Sequence, residues 1–147
     1  MVRRMVVDTN ILVSAILSSD GAAREVLRRC LTGRYRPLIG NALFLEYEDV
    51  LSREKLSAAA PVGPEDREAL LDAFLGACQW IEIVFLWRPN LPDEADNHPV
   101  ELAVAGNATA IVTHNARDLA AGELAFDSFR VVAPGDLLRE EKLTWLP

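Results

Sequence analysis

Five short apolar runs recur along the chain, and a helical pattern or a loop separates each from the next. This alternation constrains the fold more than any other feature. "RMVVD" (4–8), "RPLIG" (36–40), "WIEIVFLW" (80–87), "TAIVT" (109–113) and "FRVVAP" (129–134) are rich in branched or aromatic residues and too short for helices. Between them "NILVSAIL", "GAAREVLRRCLTG", "NALFLEYEDVLSR", "EDREALLDAFLGAC" and "NHPVELAVAGNA" carry apolar residues at helical spacing, and "PGDLLREEKL" closes the pattern. Asp8, Thr9 and Asn10 are all plausible caps for the first helix, Asn41 caps the third, and Pro99 falls in a first turn, where its missing N–H costs little. "HNARDLAAG" reads as a loop with one possible helical turn.

Strands alternating with helices predict an α/β fold: a mainly parallel five-stranded sheet flanked by helices on both faces. The 147 residues fit one domain, residues 1–147, with no linker or repeat. Half the residues are hydrophobic, a globular composition. No run approaches the ~20 residues needed to span a bilayer, and no signal-peptide core of ~7–15 apolar residues precedes Asp8. Cys30 and Cys78 stand alone and read as small buried hydrophobes. A reduced, cytoplasmic protein without membrane attachment is expected.

The net charge of −7 argues against coating nucleic acid by bulk electrostatics. It does not exclude a nuclease, because carboxylates that hold metal are counted as negative and bound cations reverse the local field. Arg24, Arg28, Arg29, Arg34 and Arg36 face only Glu25 between residues 24 and 36. They are either a solvated helix face or a phosphate-contacting flank, in which case Arg24 and Arg28 are substrate-binding candidates.

In parallel sheets ligands bind beyond the carboxyl ends of the strands, near the switch in strand order. Asp8 stands at that end of the first strand. Glu46 shares a helical stripe with Leu43, Tyr47 and Val50, while Glu48 and Asp49 point elsewhere. An acid on an apolar stripe is either costly or snorkels to water. Asp93, Glu94 and Asp96 crowd ahead of a helix, where one N-cap needs only one acid. Asn115 and Asp118 follow the fourth strand, whose end is Thr113; alone they are ordinary turn formers. Taken together, several acids at one edge without a Ser, Cys or His nucleophile suit Mg²⁺ or Mn²⁺, and such metals activate water for phosphodiester hydrolysis.

"VVDTNILVSAILS", the inward Glu46, "DEADNHPVELAVAG" and "AIVTHNARDL" closely resemble the PIN-domain family, and most nearly its VapC-like toxin branch. The resemblance runs in order over essentially the whole chain. It implies a single PIN-like domain and a metal-dependent endoribonuclease acting as the toxin of a toxin–antitoxin pair. It also implies an RNA substrate, a cognate antitoxin, a homodimer, and Mg²⁺ or Mn²⁺ as cofactor. Asp8, Glu46, Asp96 and Asp118 match the family's acids as catalytic residues and metal ligands, with Asn10, Thr113, Asn115 and Asp93 supporting them. Asn115 stands where many relatives carry Asp, so either it or Asp118 completes the site. Where relatives often read "DxDDxKF", this chain has "DEADNHP": the basic residue becomes His98 and the aromatic becomes Pro99. The acids persist, but the substrate contacts expected there change. His98 and His114 flank the site and read either as loop residues or as a proton shuttle or phosphate contact. Trp80, Trp87 and Trp145 exceed what a small core needs, in keeping with a dimer.

Two other readings compete. Aspartyl-phosphate enzymes also place an acid after the first strand, but Asn10 stands where one class wants a second Asp, and "VVAPGD" lacks the lysine another class wants. A catalytically inert PIN-like module that binds RNA or a protein would show eroded carboxylates, and here all four positions are acidic.

Overall fold

The computed structural model describes residues 2–18, 20–52, 64–83, 97–116 and 129–145. Within these, five strands form one sheet: β1 (Arg3–Val7), β2 (Tyr35–Ile39), β3 (Gln79–Trp80), β4 (Ala110–Val112) and β5 (Arg130–Val132). Their order is β3-β2-β1-β4-β5, and every pairing is parallel. Six helices accompany them: α1 (Thr9–Leu17), α2 (Ala22–Leu31), α3 (Asn41–Leu51), α4 (Pro64–Ala77), α5 (Asn97–Ala105) and α6 (Pro134–Trp145).

Consecutive residues of the central strands are buried: Met5, Val6 and Val7 in β1, Leu38 and Ile39 in β2, and Ala110, Ile111 and Val112 in β4. Side chains alternate between the faces of a strand, so unbroken burial means that both faces are covered. This is the layered α/β arrangement expected from the alternation. No helix among the described residues is long and apolar enough to cross a membrane. Cys30 and Cys78 are free, and burial pushes both thiols up to about 12; Cys30 lies in the core and Cys78 is partly buried against it.

The two helices that return the chain to the strands beside β1 end on the same device. After α2, Gly33 adopts φ +85°, Arg34 N–H bonds Arg29 O at 2.9 Å, and Gly33 N–H bonds Cys30 O at 3.3 Å. After α5, Asn107 adopts φ 54°, Ala108 N–H bonds Ala103 O at 2.9 Å, and Asn107 N–H bonds Val104 O at 3.3 Å. A left-handed residue with this bond pair stops a helix and turns the chain back. Next to it, a Cβ on Gly106 would lie 2.6 Å from Leu38 Cδ1, so a side chain there would force Leu38 to shift at the contact between α5 and β2.

Two expectations need correction. The strand expected over 80–87 comprises only Gln79 and Trp80; residues 81–83 are not strand, and 84–87 lie outside the described residues. Its partner among the described residues, β2, pairs through Leu38 and Ile39 and then gives way to α3. One further bond, Ile81 N–H to Ile39 O at 2.8 Å, ends the ladder. Nor does Asn41 cap α3. It is the first helical residue, and Gly40 occupies the cap position with extended backbone and no side-chain bond.

Candidate active site

β1 leads through β2 to β3 on one side of the sheet, and β4 leads to β5 on the other, so the strand order reverses between β1 and β4. In register, Val7 pairs with Val112, and the next residues are Asp8 and Thr113. The ladder continues one step past both strands: Asp8 N–H bonds Val112 O at 2.9 Å, and Thr113 N–H bonds Val132 O at 3.0 Å. Main-chain bonds therefore fix Asp8 and Thr113 side by side at the switch point, where ligands of such sheets bind.

Asp8 is buried, with 8% of its surface exposed. It occupies the N-cap of α1, and its Oδ1 accepts from Thr9 N–H at 2.8 Å. The cap is only half of its role. Oδ2 accepts from the fully buried Thr113 hydroxyl at 2.6 Å and more weakly from the Asn10 amide at 3.4 Å. Among the described residues, no Lys or Arg forms an ion pair with Asp8. Burial is the main force raising its carboxyl above the usual carboxylate range, and the Glu46 charge adds to it; the bonds from Thr113 and Thr9 oppose the shift.

Thr113 and Asn10 knit the floor of the site. The Thr113 hydroxyl accepts from Asn115 N–H at 3.0 Å and from the Asn10 amide at 3.3 Å. Asn10 Oδ1 accepts from His114 N–H at 3.1 Å. His114 in turn lies 2.8 Å from Ser14 Oγ through Nε2.

Glu46 reaches the same place from α3. Its neighbour Tyr47 is fully buried and donates its hydroxyl to Val7 O, tying the helix to the end of β1. Glu46 is half-buried; Oε1 accepts from the Thr9 hydroxyl, and Oε2 lies 2.6 Å from His98 Nε2 on α5. Thr9 thus bonds both acids, Asp8 through its backbone N–H and Glu46 through its hydroxyl. An open cavity of about 420 Å³ is lined by both acids together with Thr9, Asn10, Ser14, His114 and Asn115.

Of the residues expected at the site, the structure gathers Asp8, Glu46, Asn10, Thr113 and Asn115. Asp93, Asp96 and Asp118 lie outside the described residues. Among the described residues, no group of three or more His, Cys, Asp or Glu is gathered to hold a metal. The two acids present are hard oxygen donors facing one cavity, and one is buried with no Lys or Arg ion pair among the described residues. That donor set fits a divalent cation of the Mg²⁺ or Mn²⁺ type. Arg24 and Arg28 lie on α2 and do not line the cavity: Arg24 Nε–H bonds Ala15 O at 2.6 Å, and Arg28 pairs with Glu25 at 2.8 Å.

The sequence did not disclose the parts played by Thr9 and His98. Thr9 reads as one more cap beside Asp8. His98 falls at the start of an expected helix and reads as a loop residue, proton shuttle or phosphate contact, and nothing in the sequence points it at Glu46.

A family model described as the PIN domain matches residues 4–117 of the chain. No curated protein matches it. Among solved structures, the chain is similar to one described as the crystal structure of VapBC2 from Rickettsia felis bound to a DNA fragment from their promoter. The two are 17% identical, the match covers 87% of this chain and 96% of that one, and the TM-score is 0.56. At that identity the likeness concerns the fold.

Proposed function

The chain belongs to the PIN-domain family, and from that premise we propose that it is a metal-dependent endoribonuclease serving as the toxin of a toxin–antitoxin pair. The observation that carries this reading is the pair of acids at the switch point: buried Asp8, with no ion pair among the described residues, shares one open cavity with Glu46. A buried carboxylate held only by neutral donors is costly unless a cation completes it.

Asp8 and Glu46 hold Mg²⁺ or Mn²⁺ in this proposal, together with Asp96 and Asp118. The metal supplies a Lewis acid that makes water a nucleophile near neutral pH. The protein's own groups do the rest. Thr113, Thr9 and Asn10 fix the Asp8 carboxylate from three directions, so it need not reorganise as charge develops. Glu46, half-buried on the open side, accepts the proton of the attacking water. The water oxygen bonds to phosphorus, and the ester oxygen opposite departs. Asn115 and His114 wall the cavity on the β4 side and meet the substrate there. Arg24 and Arg28 serve a longer RNA outside the cavity.

The VapBC2 structure, bound to promoter DNA, supports the further proposal of a cognate antitoxin for this chain. A basic side chain from such a partner, an arginine above all, suits the acidic cavity as a bidentate counter-ion. A homodimer is proposed as well. Trp80 and Leu45 are each 55% exposed, and Trp80 stacks edge-on against Phe44. Light scattering at micromolar concentration tests it, and a monomer ends it.

The decisive assay incubates mixed RNA with the protein in Mg²⁺, in Mn²⁺ and in EDTA, beside the Asp8→Asn variant. Cleavage by the parent in metal alone is the expected result. RNA that is bound but never cut, in any metal, contradicts the proposal and leaves an inert binding module.

A further inference from the structure

Behind Glu46 stands a group that the proposed chemistry leaves unused. His98 lies in the first turn of α5, and its Nε2 is 2.6 Å from Glu46 Oε2. Its side chain is only 19% exposed, and its other ring nitrogen, Nδ1, is buried and has no hydrogen-bond partner among the described residues. It does not line the cavity, as His114 does. The opposite oxygen of Glu46 is taken by the Thr9 hydroxyl from α1. One carboxylate on α3 is therefore gripped by side chains from two other helices.

A glutamate on a helix surface has three freely turning side-chain bonds, and ordering them costs side-chain entropy. A ligand that must be ordered at the moment of binding weakens the site by that cost, whereas one ordered in advance does not. We propose that His98 is a positioning residue: by holding Glu46 Oε2 it presets that carboxylate for metal, and it does not itself touch RNA. The carboxylate can only accept, so the hydrogen between them lies on Nε2 of His98. A carboxylate oxygen has two lone pairs, so one that accepts from a donor behind it can still ligate in front.

This role rests on the metal-dependent reading above, and the test separates the two. Mn²⁺ is titrated calorimetrically into the parent, His98→Gln and His98→Leu, and each is melted in EDTA. Glutamine places an N–H near the position of Nε2 and should bind Mn²⁺ within a few-fold of the parent. Leucine removes the donor and should weaken Mn²⁺ binding by roughly 10–100-fold, the usual loss when an outer partner of a metal ligand is removed. Melting temperatures in EDTA should stay together, which a merely structural role would not produce. In RNA cleavage, kcat of the Leu variant should fall while KM holds.

Equal Mn²⁺ affinity in parent and His98→Leu overturns the role. A raised KM with unchanged Mn²⁺ affinity also overturns it, in favour of substrate contact. A parent that binds no Mn²⁺ overturns the metal-dependent reading itself and this role with it. Should His98→Leu fail to fold, His98→Asn carries the same test: its amide is too short to reach Oε2, so parent-like affinity there refutes the proposal.

Discussion

The two walls of the cavity hold their acids by different means. On the sheet side, Asp8 is set by main-chain bonds at two strand ends and by the buried hydroxyl of Thr113. On the helix side, Glu46 is held by the side chains of Thr9 from α1 and His98 from α5. The sheet wall is rigid because the fold itself would have to move before Asp8 could. The helix wall is adjustable, since each grip on Glu46 is a single side chain. We read the buried acid as the anchor of the proposed metal site and the half-buried acid as its working, proton-accepting partner.

The comparison breaks most visibly at Asp8. Asp8→Asn should lower RNA cleavage by roughly 10²–10⁴-fold, the scale expected when a group acting at the reacting centre is removed. Rates within ten-fold of the parent in an initial-velocity assay mean that the sheet wall anchors nothing chemical.

Thr113→Val removes a fully buried hydroxyl that donates to Asp8 and accepts from Asn115 N–H. The loss should cost about 1–3 kcal/mol in denaturant unfolding, because buried partners are left unsatisfied. Thr113→Ser should recover most of it. A valine variant as stable as the parent shows that the sheet wall is not held as described.

Tyr47→Phe deletes the hydroxyl that ties α3 to Val7 O. About 1 kcal/mol of stability should go, with cleavage largely kept, since ring packing against Phe74 survives. Activity falling far more than stability means that this tie, and not only His98 and Thr9, sets Glu46.

The smallest stability change is expected on the helix wall. Glu46→Gln, at a half-buried position, should shift unfolding by no more than about 0.5 kcal/mol while cleavage is lost. A large destabilisation makes Glu46 a structural acid instead.

The same contrast explains what could be read from the chain. β1, β4 and β5 announced themselves as short branched runs, and the end of such a run fixes where Asp8 and Thr113 must stand. Register did the rest, because Val7 and Val112 pair and their successors follow. Glu46 was legible as an anomaly, an acid on the stripe of Leu43, Tyr47 and Val50. Its partners were not, because a contact between residues 46 and 98 depends on how α3 and α5 cross, which no local pattern encodes. The length of β3 was hidden for a similar reason. Residues 80–87 carry ample strand propensity, but an edge strand pairs only as far as β2 offers bonds.

The central claim is that Asp8 ends its strand as a ligand as well as a cap, and melting of parent and Asp8→Asn in EDTA and in Mn²⁺ tests it most directly. Among the described residues every group bonded to the carboxylate is a donor, so Asn can keep the Thr9 N–H bond through its amide oxygen but exchanges the Thr113 bond for an amide N–H beside that hydroxyl. In EDTA the variant should therefore melt within about 1 kcal/mol of the parent. The folded-state pKa of Asp8 is raised, so its contribution is fully present at low pH and is lost as pH rises through that value. The variant should gain on the parent as pH rises above about 4, the range in which the unfolded carboxyl ionises before the folded one. With Mn²⁺ at a hundred times its dissociation constant, the parent should gain about 2.7 kcal/mol by mass action, and the variant far less. A parent and variant that respond equally to Mn²⁺, with cleavage intact in both, would make Asp8 a helix cap and nothing more.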